Sequence, residues 1–195
     1  MKNILQERAF ATIDGHVLIT DVDTGRVLLD KHNAINFINM AVAIAALLGG
    51  EQDLDNGQSY AVSQIAYGNG GSIIDTTGNV QYKTPNVTTA NGELYNETYR
   101  KSVADVDYLN KIDVERFDGQ VFSDVVITST LDFLEPADQE TIDNSSSYDD
   151  KYVFDELGLV TESGKFLTHI VFHPIEKSAN RKIQVVYTLR IRAGS

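Results

Sequence analysis

The sequence predicts a mainly β protein: a β-sandwich of about seven strands with one short helix and two long polar insertions. Three observations lead there. Apolar and polar residues alternate in several stretches, most clearly over 121–133 and 183–191. One segment, 36–48, instead repeats apolar residues at three- and four-residue steps. Two stretches, 72–93 and 134–151, are rich in Thr, Asn, Ser, Gly and Asp and follow neither period. At 195 residues, 42% of them hydrophobic, the chain can build one good core. It is read as a single domain over 1–195.

Residues 10–30 read as a hairpin. Val17, Leu18 and Ile19 face Val27, Leu28 and Leu29 across Asp21-Val22-Asp23-Thr24-Gly25. Acidic residues followed by Gly make a turn because Gly accepts positive φ without steric cost. A calcium loop would need a longer run of oxygen ligands and a closing Glu. Over 36–48, Phe37, Met40, Ala41, Ile44, Ala45 and Leu48 form one apolar stripe, expected to pack on the sheet. Asn36 or Asn33 can cap that helix, and Gly49-Gly50 ends it.

Residues 50–60 read as an acidic loop and 62–67 as a short strand. Gly68-Asn69-Gly70-Gly71 follows. It lacks the third glycine of a dinucleotide fingerprint and the Gly-Lys-Ser/Thr of a phosphate loop, so it is read as a sharp turn. Residues 72–93 are expected to form an extended arm or long surface loop, the best internal pointer to an assembly contact. A strand or strand pair follows over 94–116, then a turn at Phe117-Asp118-Gly119-Gln120 and the strong strand of 121–133. Beyond the second insertion, 153–159 re-enters the core, 167–172 is a strand, and a loop after Pro174 leads to the last strand, 183–191.

Composition excludes several kinds of chemistry. There is no cysteine, so disulfides, thiolate metal sites and cysteine nucleophiles are ruled out. A net charge of −12 opposes broad binding to nucleic acid. Lys177, Arg181, Lys182, Arg190 and Arg192 form a basic C-terminal run, read as a solvated strand edge. The most apolar stretch, 41–48, is far below the ~20 residues that cross a bilayer. No leader is visible, so neither membrane nor secretion is expected, and a cytoplasm is the expected place of synthesis.

No catalytic, cofactor-binding or metal-ligating residue is nominated. His169 and His173 share a strand face but stand ~13 Å apart at ~3.3 Å per residue, too far to share a metal. They, like His16 and His32, are read as structural. No Gly-x-Ser-x-Gly elbow is present. Asp155 and Glu156 adjoin the core-returning segment, where a partner contact or backbone hydrogen bonding is expected rather than catalysis.

The order of segments carries a resemblance. "DKHNAI" (30–35) precedes "MAVAIAALLGG" (40–50); "VSQIAYGNGG" (62–71) and "LYNETYRKSV" (94–103) follow; "VFDELGL" (153–159) and "FLTHIVFHP" (166–174) come last. This order resembles tail-fibre amino-terminal domains and related tail, baseplate and neck proteins of tailed bacteriophages, and above all small virion structural proteins of T4-like marine phages. Val160 departs from that pattern, which has Phe there, and Lys165-Phe166 intervene before Leu167. A fibre shaft beyond the last strand is not expected.

The resemblance implies a non-catalytic virion subunit without cofactor, a tail, neck or baseplate adaptor or ring component. Its partners would be other virion proteins and copies of itself. The alternatives are a capsid decoration protein and, from another class, a soluble ligand-binding β-sandwich. Tyr82, Pro85, Tyr95, Tyr99, Arg100 and Tyr148 are the candidate partner contacts, because aromatic and arginine anchors on or near the two insertions suit interface hot spots.

Overall fold

A computed structural model of the chain describes residues 10–104, 107–136 and 151–194. The elements are β1 (Phe10–Asp21), β2 (Val27–His32), β3 (Ala34–Ile35), α1 (Phe37–Gly49), β4 (Val62–Gly68), β5 (Ser72–Ile74), β6 (Val80–Tyr82), β7 (Glu97–Ser102), β8 (Lys111–Arg116), β9 (Phe122–Leu131), β10 (Lys151–Thr161), β11 (Thr168–Ser178) and β12 (Ile183–Gly194). Two five-stranded sheets, ordered β2-β1-β12-β9-β8 and β3-β11-β10-β4-β7, form the sandwich, and β5-β6 is a separate hairpin. The pairings are antiparallel. The mainly β sandwich is thus the observed architecture. Its strands outnumber seven partly because β3, β5 and β6 are too short to show a period.

Alternation builds the core. Val17 and Ile19 of β1, Ile127 and Leu131 of β9, and Val185, Tyr187 and Leu189 of β12 come from the first sheet. They belong to one buried cluster with Ile65 and Tyr67 of β4, Phe154, Leu157 and Leu159 of β10, and Ile170 and Phe172 of β11. Of these core residues, those on one strand are separated by two or four, as pleating requires, except Phe154 and Leu157 of β10, which flank a register shift. The β1–β2 turn closes as the residue types dictate. The Asp21 carboxylate accepts from the Thr24 amide and hydroxyl, and Gly25 takes φ +67°.

Two local readings are corrected. The strand β11 does not stop at Pro174 but continues to Ser178. The ladder instead slips there: Phe154 and Glu156 of β10 face Ile175 and Val171 of β11. Proline cannot donate a ladder hydrogen bond, so it is accommodated at an irregularity. The second correction concerns 72–93, expected as an extended arm or long surface loop: it is not an extended arm. It forms β5–β6, tightened by the Asp75 carboxylate on the amides of Thr77 and Asn79, and the rest folds back on the sheet.

Candidate functional site

The glycine-rich turn and the carboxylates of β10 form one polar cluster. Phe154 and Leu157, three residues apart, both reach the core. Between them, Asp155 and Glu156 both meet the backbone of the Gly68–Ser72 region. Asp155 accepts from the amides of Gly71 (2.9 Å) and Ser72 (2.7 Å), and from the Ser72 hydroxyl. Glu156 accepts from the amides of Gly70 (3.0 Å), Tyr95 (2.9 Å) and Asn96 (2.8 Å). Exposed glycine amides would attract an anion; here the protein's own carboxylates occupy them.

His169 completes the cluster. Its Nδ1 accepts from the Asn86 amide at 2.9 Å, so Nε2 carries the proton and donates to Glu156 at 2.9 Å. Burial pushes the Glu156 carboxyl up, but the hydrogen bonds from His169 and the three amides outweigh it and hold the group below the usual range. Burial raises the Asp155 carboxyl, only partly offset by the Ser72 hydroxyl and the amides of Gly71 and Ser72. With its acceptors and donors engaged, the cluster offers no free base or nucleophile. It works as a rivet that fastens the 69–96 segment to β10 and β11.

Close approach explains the glycines. A Cβ at Gly68 would stand 2.5 Å from the Asn96 carbonyl oxygen and 2.6 Å from Glu156 Oε1. One at Gly71 would stand 2.9 Å from the Asp155 carbonyl oxygen. Further along, the Asn36 side chain donates to the Thr89 carbonyl (2.7 Å), and Asn39 donates to those of Ala90 (3.1 Å) and Phe166 (2.8 Å). The same loop is therefore tied to the start of α1.

Those ties set the orientation of α1, and the expected apolar stripe does not pack as a unit. Asn39, Met40, Ala43 and Ala46 are buried, while Phe37, Ala41, Ala45 and Leu48 of the stripe are exposed. Buried donors on Asn36 and Asn39 are satisfied by the carbonyls of Thr89, Ala90 and Phe166, and this fixes a buried side made of Asn39, Met40, Ala43 and Ala46. The outward side carries Phe37 (71% exposed), Ile38, Val42, Leu47 and Leu48 (86%), and Leu54 beyond it is fully exposed. Beside it an open groove of about 440 Å³ runs between Ala11, Ile13, Phe37, Met40, Ala41 and Ile44. A detectable signal was the absence of any charged residue across 37–49.

The candidate contacts divide. Tyr82 is exposed, with its hydroxyl 3.1 Å from His173 Nδ1. Tyr95 is exposed on the docked segment, donates its hydroxyl to the Thr84 carbonyl, and lies beneath Lys83 (4.5 Å). Pro85 is half-buried between them in the chain. Tyr99 packs on Tyr67 at 6.1 Å and is half-buried. Arg100 is exposed, pairs with Glu97 at 2.7 Å and lies over Phe166. Tyr148 lies outside the described residues.

The C-terminal basic run is not a solvated edge throughout. Lys177 is fully buried, donating to the carbonyls of Asp132 (2.8 Å) and Ser178 (3.1 Å). Burial lowers its pKa to about 8, against the pull of Glu135 and Asp132. Arg181 pairs with Asp21, Lys182 with Asp132 and Arg190 with Asp124. The cross-strand partners were invisible without the sheet order.

Among the described residues no helix is long and apolar enough to cross a membrane. The chain matches no family model, no curated protein and no solved structure.

Proposed function

We propose that the protein is a non-catalytic structural subunit of a tailed-phage virion, an adaptor or ring component of the tail, neck or baseplate. The observation that carries the subunit reading is the uncovered α1 face: Phe37, Ile38, Val42, Leu47 and Leu48 lie exposed on one uncharged helix. Clustered exposed apolar side chains mark interaction surfaces, whereas singly scattered ones do not. The sealing of Asp155, Glu156 and His169 supports a structural rather than a catalytic role for the most polar region. The phage setting rests on the ordered motifs from "DKHNAI" to "FLTHIVFHP". Neighbouring virion proteins or further copies of the chain would cover α1.

Immunogold labelling of purified particles with antibody against this chain tests the reading. Label at the neck, tail or baseplate is the expected result. Label spread over the head would replace the adaptor role by decoration, and particles without label would overturn the virion assignment.

A further inference from the structure

On the outer face of the first sheet, His16 of β1 stands directly opposite His32 of β2. Their ring centroids are 5.4 Å apart and their planes meet at 71°. Each ring has one nitrogen committed. His16 Nε2 lies 2.6 Å from Asp30 Oδ1, and His32 Nδ1 lies 3.2 Å from the Gly15 carbonyl oxygen. Carboxylates and carbonyls only accept, so both committed nitrogens are donors. The nitrogen of each ring left to hold a lone pair is therefore Nδ1 in His16 and Nε2 in His32. Both rings line one open cavity of about 320 Å³ with Asp14, Thr188, Arg190 and Arg192.

This is the arrangement that metal-binding histidines adopt: the second ring nitrogen donates to a carboxylate or carbonyl, which fixes the tautomer and raises the basicity of the ligand. The spacing also fits. With Zn–N ~2.0–2.1 Å and a ring nitrogen ~1.1 Å from its centroid, two imidazoles at tetrahedral zinc have centroids ~5 Å apart. We propose that His16 and His32 chelate a borderline divalent transition metal, Zn²⁺ or Ni²⁺, through His16 Nδ1 and His32 Nε2. The site bridges the edge strand β2 to β1. Among the described residues no group of three or more His, Asp or Glu ligands stands together. The chelate is therefore two-coordinate from the protein, with its remaining positions left to water or a partner's ligand. It gives these two histidines a role beyond the structural one expected of them, and it stands independently of the virion reading.

The nearby cations set its strength. Arg190 is held by Asp124 at 2.8 and 2.7 Å, which neutralises it. Arg192 lies 6.0 Å from the Phe122 ring and contributes positive charge to the cavity. It weakens metal binding by repulsion, whereas in an anion-binding pocket it would be the principal attraction.

Titration calorimetry on the full chain without an affinity tag, with zinc chloride, nickel chloride and sodium phosphate in turn, separates these. One saturable metal site is expected. His16→Ala and His32→Ala should each weaken it at least tenfold, while His173→Ala, at the other exposed histidine, leaves it unchanged. Asp30→Ala should weaken it about tenfold or more by removing the support of His16, and Arg192→Ala should tighten it. These positions lie on the sheet's outer face, and unchanged circular dichroism confirms that each variant folds. No saturable metal binding, or zinc affinity indifferent to His16→Ala and His32→Ala, overturns the proposal. Saturable phosphate binding that Arg192→Ala abolishes, without metal binding, assigns the cavity to an anion instead.

Discussion

Two regions of the molecule treat side-chain polarity in opposite ways. Around Gly68–Ser72, charged groups are buried and matched: Glu156 alone receives three amides and His169. Along α1, apolar groups are exposed and uncovered: Leu48 is 86% and Phe37 71% accessible. The same loop links them, since Asn86 bonds the first region while Thr89 and Ala90 bond Asn36 and Asn39 at the second. Satisfying the buried donors of Asn36 and Asn39 fixes which side of a nearly all-apolar helix is buried, and leaves Phe37, Ile38, Val42 and Leu48 outside. In a helix that is apolar nearly all round, the hydrophobic pattern alone does not choose the buried side, and the hydrogen-bonding demand of its few polar groups does.

The largest expected effect comes from breaking the rivet. Glu156→Ala strands three backbone amides and His169, and unsatisfied buried donors cost about 1–3 kcal/mol each. Urea melts should show a loss of at least about 3 kcal/mol, together with rapid proteolysis within 72–96. A change under 1 kcal/mol would mean that the cluster does not fasten the loop. Gly68→Ala drives a Cβ against backbone at 2.5 Å. Overpacking of this kind costs about 1–3 kcal/mol, measurable by the same melts, whereas Gly119→Ala meets no atom within 4 Å and tests only its φ of +74°.

Lys177 sharpens the comparison as a buried charge less well compensated than Glu156. Its folded pKa of about 8 lies below the ordinary 10.5. Between those values the unfolded chain binds more protons, so its contribution makes stability rise with pH from about 8 toward 10.5. The gain should be on the order of 1 kcal/mol relative to Lys177→Met, taking one pKa unit as about 1.4 kcal/mol. Denaturation midpoints at pH 7.5 and 9.5 for both proteins measure it; equal pH dependence in the two would sink the assignment. The smallest effect on folding is expected at α1. Leu48→Glu should change stability by no more than about 0.5 kcal/mol, as exposed substitutions do. The same variant should abolish incorporation into particles, scored by immunoblotting purified virions, and normal incorporation would remove α1 from the assembly surface.

Much of the cluster's material was legible. The glycine stretch reads as a sharp turn because it matches no phosphate pattern, and Asp155 with Glu156 read as groups for a partner contact or backbone hydrogen bonding, of which the structure shows the second. What could not be read was their meeting. Gly70 and Glu156 are 86 residues apart, and Asn86 and His169 are 83 apart. Only the pairing of β10 with β4 and β11 brings them together. For the same reason the 72–93 segment reads as an extended arm or long surface loop, since its anchors lie in distant elements. His16 and His32 were each visible, but their opposition depends on the β1–β2 register.

By itself the sequence determined the class of the fold, the position of the helix and the chemistry the chain lacks. Alternation, three-to-four periodicity and the missing cysteines are local or compositional properties, and they need no partner to be read. Tertiary structure alone decided that Lys177 is buried, that the long insertion is docked and which side of α1 is left uncovered. Each depends on which distant donors and acceptors meet once the sheets close. A buried polar group must find its partner wherever the fold places one.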